Sequence, residues 1–300
     1  MKMKKMLICL LVLAMLVGCA PSVDGGDTTQ TEPTVTPVVT PDTAPEPTPT
    51  PEPTDTEEDA KFTFVVEGME QTVSARKHTS LMGYSMVYDH GMLTFEKHDG
   101  YDLYVETAET NLPAVQIKIS KEKRTVGDVV SALVKSGADE SGYMRLGGCE
   151  ARVLHYIAGN SFDSEMKTYY VVQAGSSVYL IENSYFYEAA EGSGSRLAQM
   201  VNTITFENVP EAKELKILFR NKEIKDFTSV IGDVTTLRVG TEAGASCADI
   251  KWSTSKESVC TLIPNGGTCD VVIKGAGVAE VTVTCGDLTA TTVVRGKTSW

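Results

Sequence analysis

Histidine and tryptophan are scarce in this 300-residue chain, at four and two residues, and only Pro113, Pro210 and Pro264 follow Pro53. There is no basic cluster beyond the first five residues. Binding nucleic acid needs phosphate neutralisation, so no nucleic-acid partner is expected. The apolar run Met6–Gly18 has 13 uncharged residues, short of the ~20 that cross a bilayer. There is no Cys-x-x-Cys pair and no histidine after His155, which argues against zinc. A P-loop, a nucleotide glycine fingerprint and a Gly-x-Ser-x-Gly elbow are all missing. Neither a cofactor nor serine-hydrolase chemistry is expected.

What is present begins at the amino terminus. Lys2, Lys4 and Lys5 precede the apolar run, as in the n- and h-regions of a secretory signal spanning 1–18. The run ends in Leu16-Val17-Gly18-Cys19, which resembles a bacterial lipoprotein lipobox. That resemblance implies cleavage before Cys19 and a lipid on Cys19. The alternative is an ordinary signal with a chance cysteine.

Residues 19–60 read as a disordered Pro/Thr/Glu linker. Nine of the 12 prolines lie between Pro21 and Pro53, and residues 20–60 hold ten acids, no base and no aromatic residue. With so little to bury, such a segment cannot offset its ordering entropy, and proline and like charge extend it. At ~3.1 Å per residue its fully extended reach is on the order of 120 Å. The composition suits a tether across a cell wall, with O-glycosylation compatible. The net charge of −13 divides into +3 for the signal, −10 for the linker and −6 for residues 61–300. The expected location is extracytoplasmic: lipid-anchored and surface-exposed on a bacterium with a single membrane.

Residues 61–207 read as an α+β sandwich with an antiparallel sheet. Short strands are expected at 62–66, 71–75, 84–88, 93–96, 103–106 and 115–119, the last alternating strictly. Thr125 caps a helix with Asp128 at its third position; Val126, Val129, Val130, Leu133 and Val134 form the apolar stripe, and Gly137 ends it. Strands resume at 151–157, 167–173 and 178–182, and a helix is expected over about 188–202. Gly83-Tyr84-Ser85-Met86-Val87-Tyr88-Asp89, Leu146-Gly147-Gly148-Cys149-Glu150-Ala151 and the final hairpin and helix resemble PsbP, the photosystem II extrinsic protein, and its bacterial relatives. That likeness implies a binding or assembly role without catalytic residues.

Residues 208–296 carry almost only strand patterns, with turn signals every 8–12 residues, as in a small β-sandwich. Trp252, Ser253, Ser255, Val259, Leu262, Gly267, Gly277 and Ala279 stand where the bacterial immunoglobulin-like domain, group 2, has its strand tryptophan, serines and glycine turns. The segment resembles that family, which implies a spacer or adhesive module. Thr268–Val272 and four cysteines depart from its pattern.

Seven cysteines are present. Cys9 leaves with the signal and Cys19 takes the lipid. Cys247, Cys260, Cys269 and Cys285 allow three pairings. A turn at Pro264-Asn265-Gly266 favours Cys260 with Cys269, leaving Cys247 with Cys285; four small buried thiols are the alternative. Cys149 and His155 lie on one strand edge and do not converge as nucleophile and base. His78, His90 and His98 fall in turns and read as solvated rather than as a metal site. Asp99–Asp102 and Asp139-Glu140 read as solvated loops. Tyr84, Tyr88, Tyr101, Tyr104 and Tyr185-Phe186-Tyr187 are either a binding face or half-buried strand residues. No catalytic, cofactor or metal residues are expected. The function expected is non-catalytic: a tethered module for adhesion or for binding a surface glycan or protein. The alternative is an envelope assembly or transport accessory factor docking a membrane complex.

Overall fold

The computed structural model describes residues 54–66, 68–107 and 111–299. The signal-like segment, Cys9, Cys19 and the linker through Pro53 lie outside the described residues. The elements run β1 (Thr56–Val66), β2 (Met69–Ser80), β3 (Tyr84–Tyr88), β4 (Leu93–His98), β5 (Tyr101–Glu106), β6 (Gln116–Glu122), α1 (Val126–Lys135), β7 (Asp139–Leu146), β8 (Cys149–Ile157), β9 (Glu165–Ala174), β10 (Ser177–Phe186), α2 (Ser195–Val201) and β11 (Thr205–Phe206). There follow β12 (Lys216–Phe219), β13 (Lys222–Glu223), β14 (Asp226–Val230), β15 (Val234–Gly240), β16 (Ile250–Thr254), β17 (Cys260–Asn265), β18 (Thr268–Ile273), β19 (Gly277–Cys285) and β20 (Leu288–Lys297). The chain is mostly β, and no helix among the described residues is long and apolar enough to cross a membrane.

The first body packs a four-stranded sheet, β1-β2-β3-β11, against a seven-stranded sheet, β4-β5-β6-β10-β9-β8-β7. Every pairing in both sheets is antiparallel. Alternation along the strands explains the layering. On β9, Tyr170, Val172 and Ala174 face the inter-sheet core with Met86, Ile117, Ile181 and Met200. The intervening Val171 joins Val129, Val130, Leu154 and Val178 beneath α1 on the opposite face. Thr125 caps α1, its hydroxyl accepting the Asp128 N–H at 3.2 Å, and α2 closes the inter-sheet core with Leu197, Met200 and Val201.

Three elements differ from expectation. β1 takes in Thr56 to Ala60, assigned to the linker on composition. Ala60 packs against the core and Phe62 and Phe64 are buried in it, while the acids find cationic neighbours: Glu58 opposes Lys77 and Asp59 opposes Arg76. β7 occupies Asp139–Leu146, where the acidic pair Asp139-Glu140 suggests a solvated loop. It is an edge strand with exposed residues at its start, so it carries no apolar alternation to read. The final helix is also shorter than expected. A 3₁₀ turn at Tyr187–Ala189 and a π turn at Ala190–Gly194 precede α2, because Gly192 and Gly194 give a regular helix little support.

The second body pairs a five-stranded sheet, β13-β12-β15-β18-β17, with a four-stranded sheet, β14-β20-β19-β16. Leu237, Val239, Val271 and Ile273 from one sheet meet Val281, Val283 and Val294 from the other. Its pairings are antiparallel except for β14 beside β20.

Candidate functional site

A polar chain lies buried between the two sheets of the first body. Asp102 on β5 accepts the Ser80 hydroxyl at 2.6 Å and the Tyr84 hydroxyl at 2.7 Å. The Tyr84 and Tyr104 hydroxyls are 3.0 Å apart, and Tyr104 is hydrogen-bonded to His78 Nδ1. His78 Nε2 has no partner among the described residues. The imidazole instead lies against Phe95, with ring centroids 4.0 Å apart. Burial holds His78 below its ordinary 6.5, against the pull of Asp102, Asp55 and Glu57. Burial likewise pushes the Tyr84 and Tyr104 phenols far up. Burial thus disfavours the charged forms of the imidazole and the phenols, and His78, Ser80, Tyr84, Asp102 and Tyr104 are all buried.

These placements correct the reading of His78 as a solvated turn residue. It sits on β2 and is fully buried, because its aromatic ring and one nitrogen are both satisfied by core neighbours. Tyr84, Tyr88 and Tyr104 are buried too, so they do not form an exposed aromatic face. Tyr101 is half-buried under the Lys118 ammonium, 4.1 Å from its ring centre. His90 and His98 are exposed, and no group of three metal-ligating side chains exists among the described residues.

At the start of β1, Glu57 accepts from Arg76 at 2.7 Å and from Tyr88. Against the upward push of burial, these bonds hold the Glu57 carboxyl below its usual range. Asp55 accepts the Leu81 N–H at 2.7 Å and pairs with Lys97. The base of the linker is thus pinned to β2, β3 and β4.

Cys149 is buried, and burial pushes its thiol up to about 11; His155 is exposed and bonds Thr168 at 3.2 Å. Cys247 and Cys285 form a disulfide with Cα atoms 6.0 Å apart. Cys260 and Cys269 are free thiols. The expected bridge between them is missing because the hairpin register sets Cys260 opposite Ile273 and Cys269 opposite Pro264.

The two bodies meet along a seam built from turns. The Gly175 N–H donates to Gly244 O at 2.8 Å, and the Cys247 N–H to Gly148 O at 2.8 Å. Gly148 and Gly244 both have positive φ, and a Cβ on either would collide, with Ser246 Oγ and with the Gly175 carbonyl respectively. Arg238 on β15 reaches across to Glu150 on β8 and lies over the Tyr143 ring at 3.9 Å. The described residues accordingly belong to one compact unit.

Beside this seam lies a cleft of about 370 Å³. Ser141 and Tyr143 of β7, Arg220 and Asn221 of the β12–β13 turn, and Thr236, Arg238 and Thr268 line it. The Tyr143 hydroxyl donates to Asn221 Oδ1 at 3.0 Å and Arg238 donates to the same oxygen at 2.8 Å. The turn is thereby fixed by the first body. Arg220 is exposed and makes no ion pair among the described residues. None of these residues stood out in the sequence, because they come from four separate segments. The nearest signal was the run of turn glycines at Gly147-Gly148, Gly175 and Gly244.

No protein-family model matches the chain, and no curated protein matches it. Among solved structures, a polysaccharide lyase aligns over 81% of this chain at 8% identity, with a TM-score of 0.20. This chain spans 40% of that protein's length. A superposition that loose carries no statement about fold or activity.

Proposed function

We propose that this chain is a lipid-anchored, surface-displayed binding module without catalytic activity. Cys19 carries the lipid, the acidic Pro/Thr linker is the tether, residues 61–207 are a PsbP-like α+β domain, and residues 208–296 are a bacterial immunoglobulin-like domain. The observation that carries the binding reading is the seam. Two bodies locked backbone to backbone hold a preformed cleft with an arginine that has no carboxylate partner among the described residues. A preformed site binds without losing affinity to reorganisation. The α+β reading is supported by α1 on one face of the seven-stranded sheet and the four-stranded sheet on the other.

A second reading, an envelope accessory factor, is favoured by one feature. Ile157, Phe162 and Tyr187 are exposed at one end of the first body, where Tyr187 and Glu188 bond back to the Phe162–Ser164 loop. Such a patch suits a protein partner. Fatty-acid labelling with membrane fractionation tests the anchor. Wild type should take up label and sediment with membranes, and Cys19→Ala should do neither. Equal labelling of the two would end the lipoprotein reading.

A further inference from the structure

We propose that the seam cleft is a subsite for an acidic sugar, a uronate, whose carboxylate pairs with Arg220. The proposal names the ligand class for the binding reading above and rests on it.

The first argument is the backbone of Arg220. Phe219 pairs with Lys222, so Arg220 and Asn221 are the two residues of a tight hairpin. Their φ angles are +49° and +64°. Positive φ at both positions is the pattern of the mirror-image hairpin turn, which favours Asn, Asp and Gly. Asn221 suits it. An arginine in left-handed backbone is disfavoured by its Cβ, and no carboxylate among the described residues pairs with Arg220. Arg152, Arg238 and Arg295 all have carboxylate partners; Arg220 has only the Phe219 ring, 5.1 Å away. A guanidinium held at a cleft in an otherwise acidic chain is a bidentate carboxylate donor.

The second argument is the polarity of the hydroxyls around it. Ser141 Oγ donates to Val153 O at 3.2 Å, Thr236 Oγ1 to Asp270 at 2.6 Å, and Thr268 Oγ1 to Asn265 O at 3.1 Å. The Tyr143 hydroxyl is spent on Asn221. All four hydroxyl protons are therefore engaged within the protein, so these oxygens can offer a ligand only acceptor lone pairs. A matching ligand brings one carboxylate and several donors set around a compact ring, as a uronate does; an acidic peptide, whose donors are backbone N–H groups, is the competing outcome of the test. The cleft volume of about 370 Å³ falls within the range of about 300–1,000 Å³ of small-ligand sites.

Titration calorimetry of the full-length protein in detergent tests this, with trigalacturonate as probe and maltotriose and triglutamate as controls. Wild type should bind trigalacturonate and neither control, and the affinity should fall as salt rises. Arg220→Gly should weaken binding by about tenfold or more. Glycine suits the left-handed backbone, so that variant should melt no lower than wild type. Arg220→Lys should retain part of the affinity. The proposal is overturned if wild type ignores trigalacturonate at millimolar concentration, if Arg220→Gly binds it equally, or if triglutamate binds as well. Failure here leaves surface display intact. Conversely, a chain found protected inside the cell would still show this binding in detergent.

Discussion

Gly244 and Gly175 meet backbone to backbone: the Gly175 N–H donates to the Gly244 carbonyl at 2.8 Å, and a Cβ on Gly244 would strike the Gly175 carbonyl. One residue belongs to the β9–β10 turn and the other to the loop after β15, so this contact joins the two bodies. Gly244→Ala should cost about 1–3 kcal/mol, since it adds both a positive-φ penalty and a clash. Urea denaturation should show the loss, with the single wild-type transition splitting in two. An unchanged single transition would mean that the seam contributes nothing to cooperativity.

His78 makes stability depend on pH. The folded protein holds His78 below its ordinary 6.5 by burial, so the unfolded chain takes up the proton first. Stability should be full above that value and should decline as pH falls below it, by at most about 1.4 kcal/mol per pH unit. Asp55 and Glu57, both held below the usual carboxylate range, add their loss only at lower pH. Denaturation midpoints at pH 7.5 and 5.5 should differ in wild type and converge in His78→Gln.

The Cys247–Cys285 bridge closes a separation of 38 residues. By chain entropy such a loop is worth about 3–4 kcal/mol. Cys247→Ser should lower the urea midpoint accordingly, and peptide mapping without reductant should recover the 247 and 285 peptides linked.

Cys149 and Cys269 should resist alkylation in the native protein. Burial pushes each thiol up to about 11, and the thiolate is the reacting form. Iodoacetamide at pH 8 should leave both unlabelled until denaturant is added. Rapid native labelling of Cys149 would show that β8 opens.

Local structure was legible where one residue or one period decides it. Thr125 reads as an N-cap and is one. The Tyr169–Val172 and Val178–Ile181 segments read as a hairpin and pair as one, with Val172 opposite Tyr179. β7 was not legible, because an edge strand that exposes its first residues shows no alternation. The extension of β1 to Thr56 was hidden by acidic composition that cross-strand Lys77 and Arg76 offset. His78 was misplaced because burial of a polar ring depends on partners distant in the sequence, Tyr104 and Phe95. The cleft was not visible at all. Arg220 is ordinary in sequence, and only the docking of Asn221 onto Tyr143 and Arg238 shows where it stands.

The most direct test of the central claim is protease shaving of intact cells, comparing wild type with Cys19→Ala. Wild type should be membrane-associated and cut from whole cells, and the Cys19→Ala chain should be released into the medium. Full protection of the wild-type chain in intact cells would contradict surface display and leave the envelope-partner reading in its place.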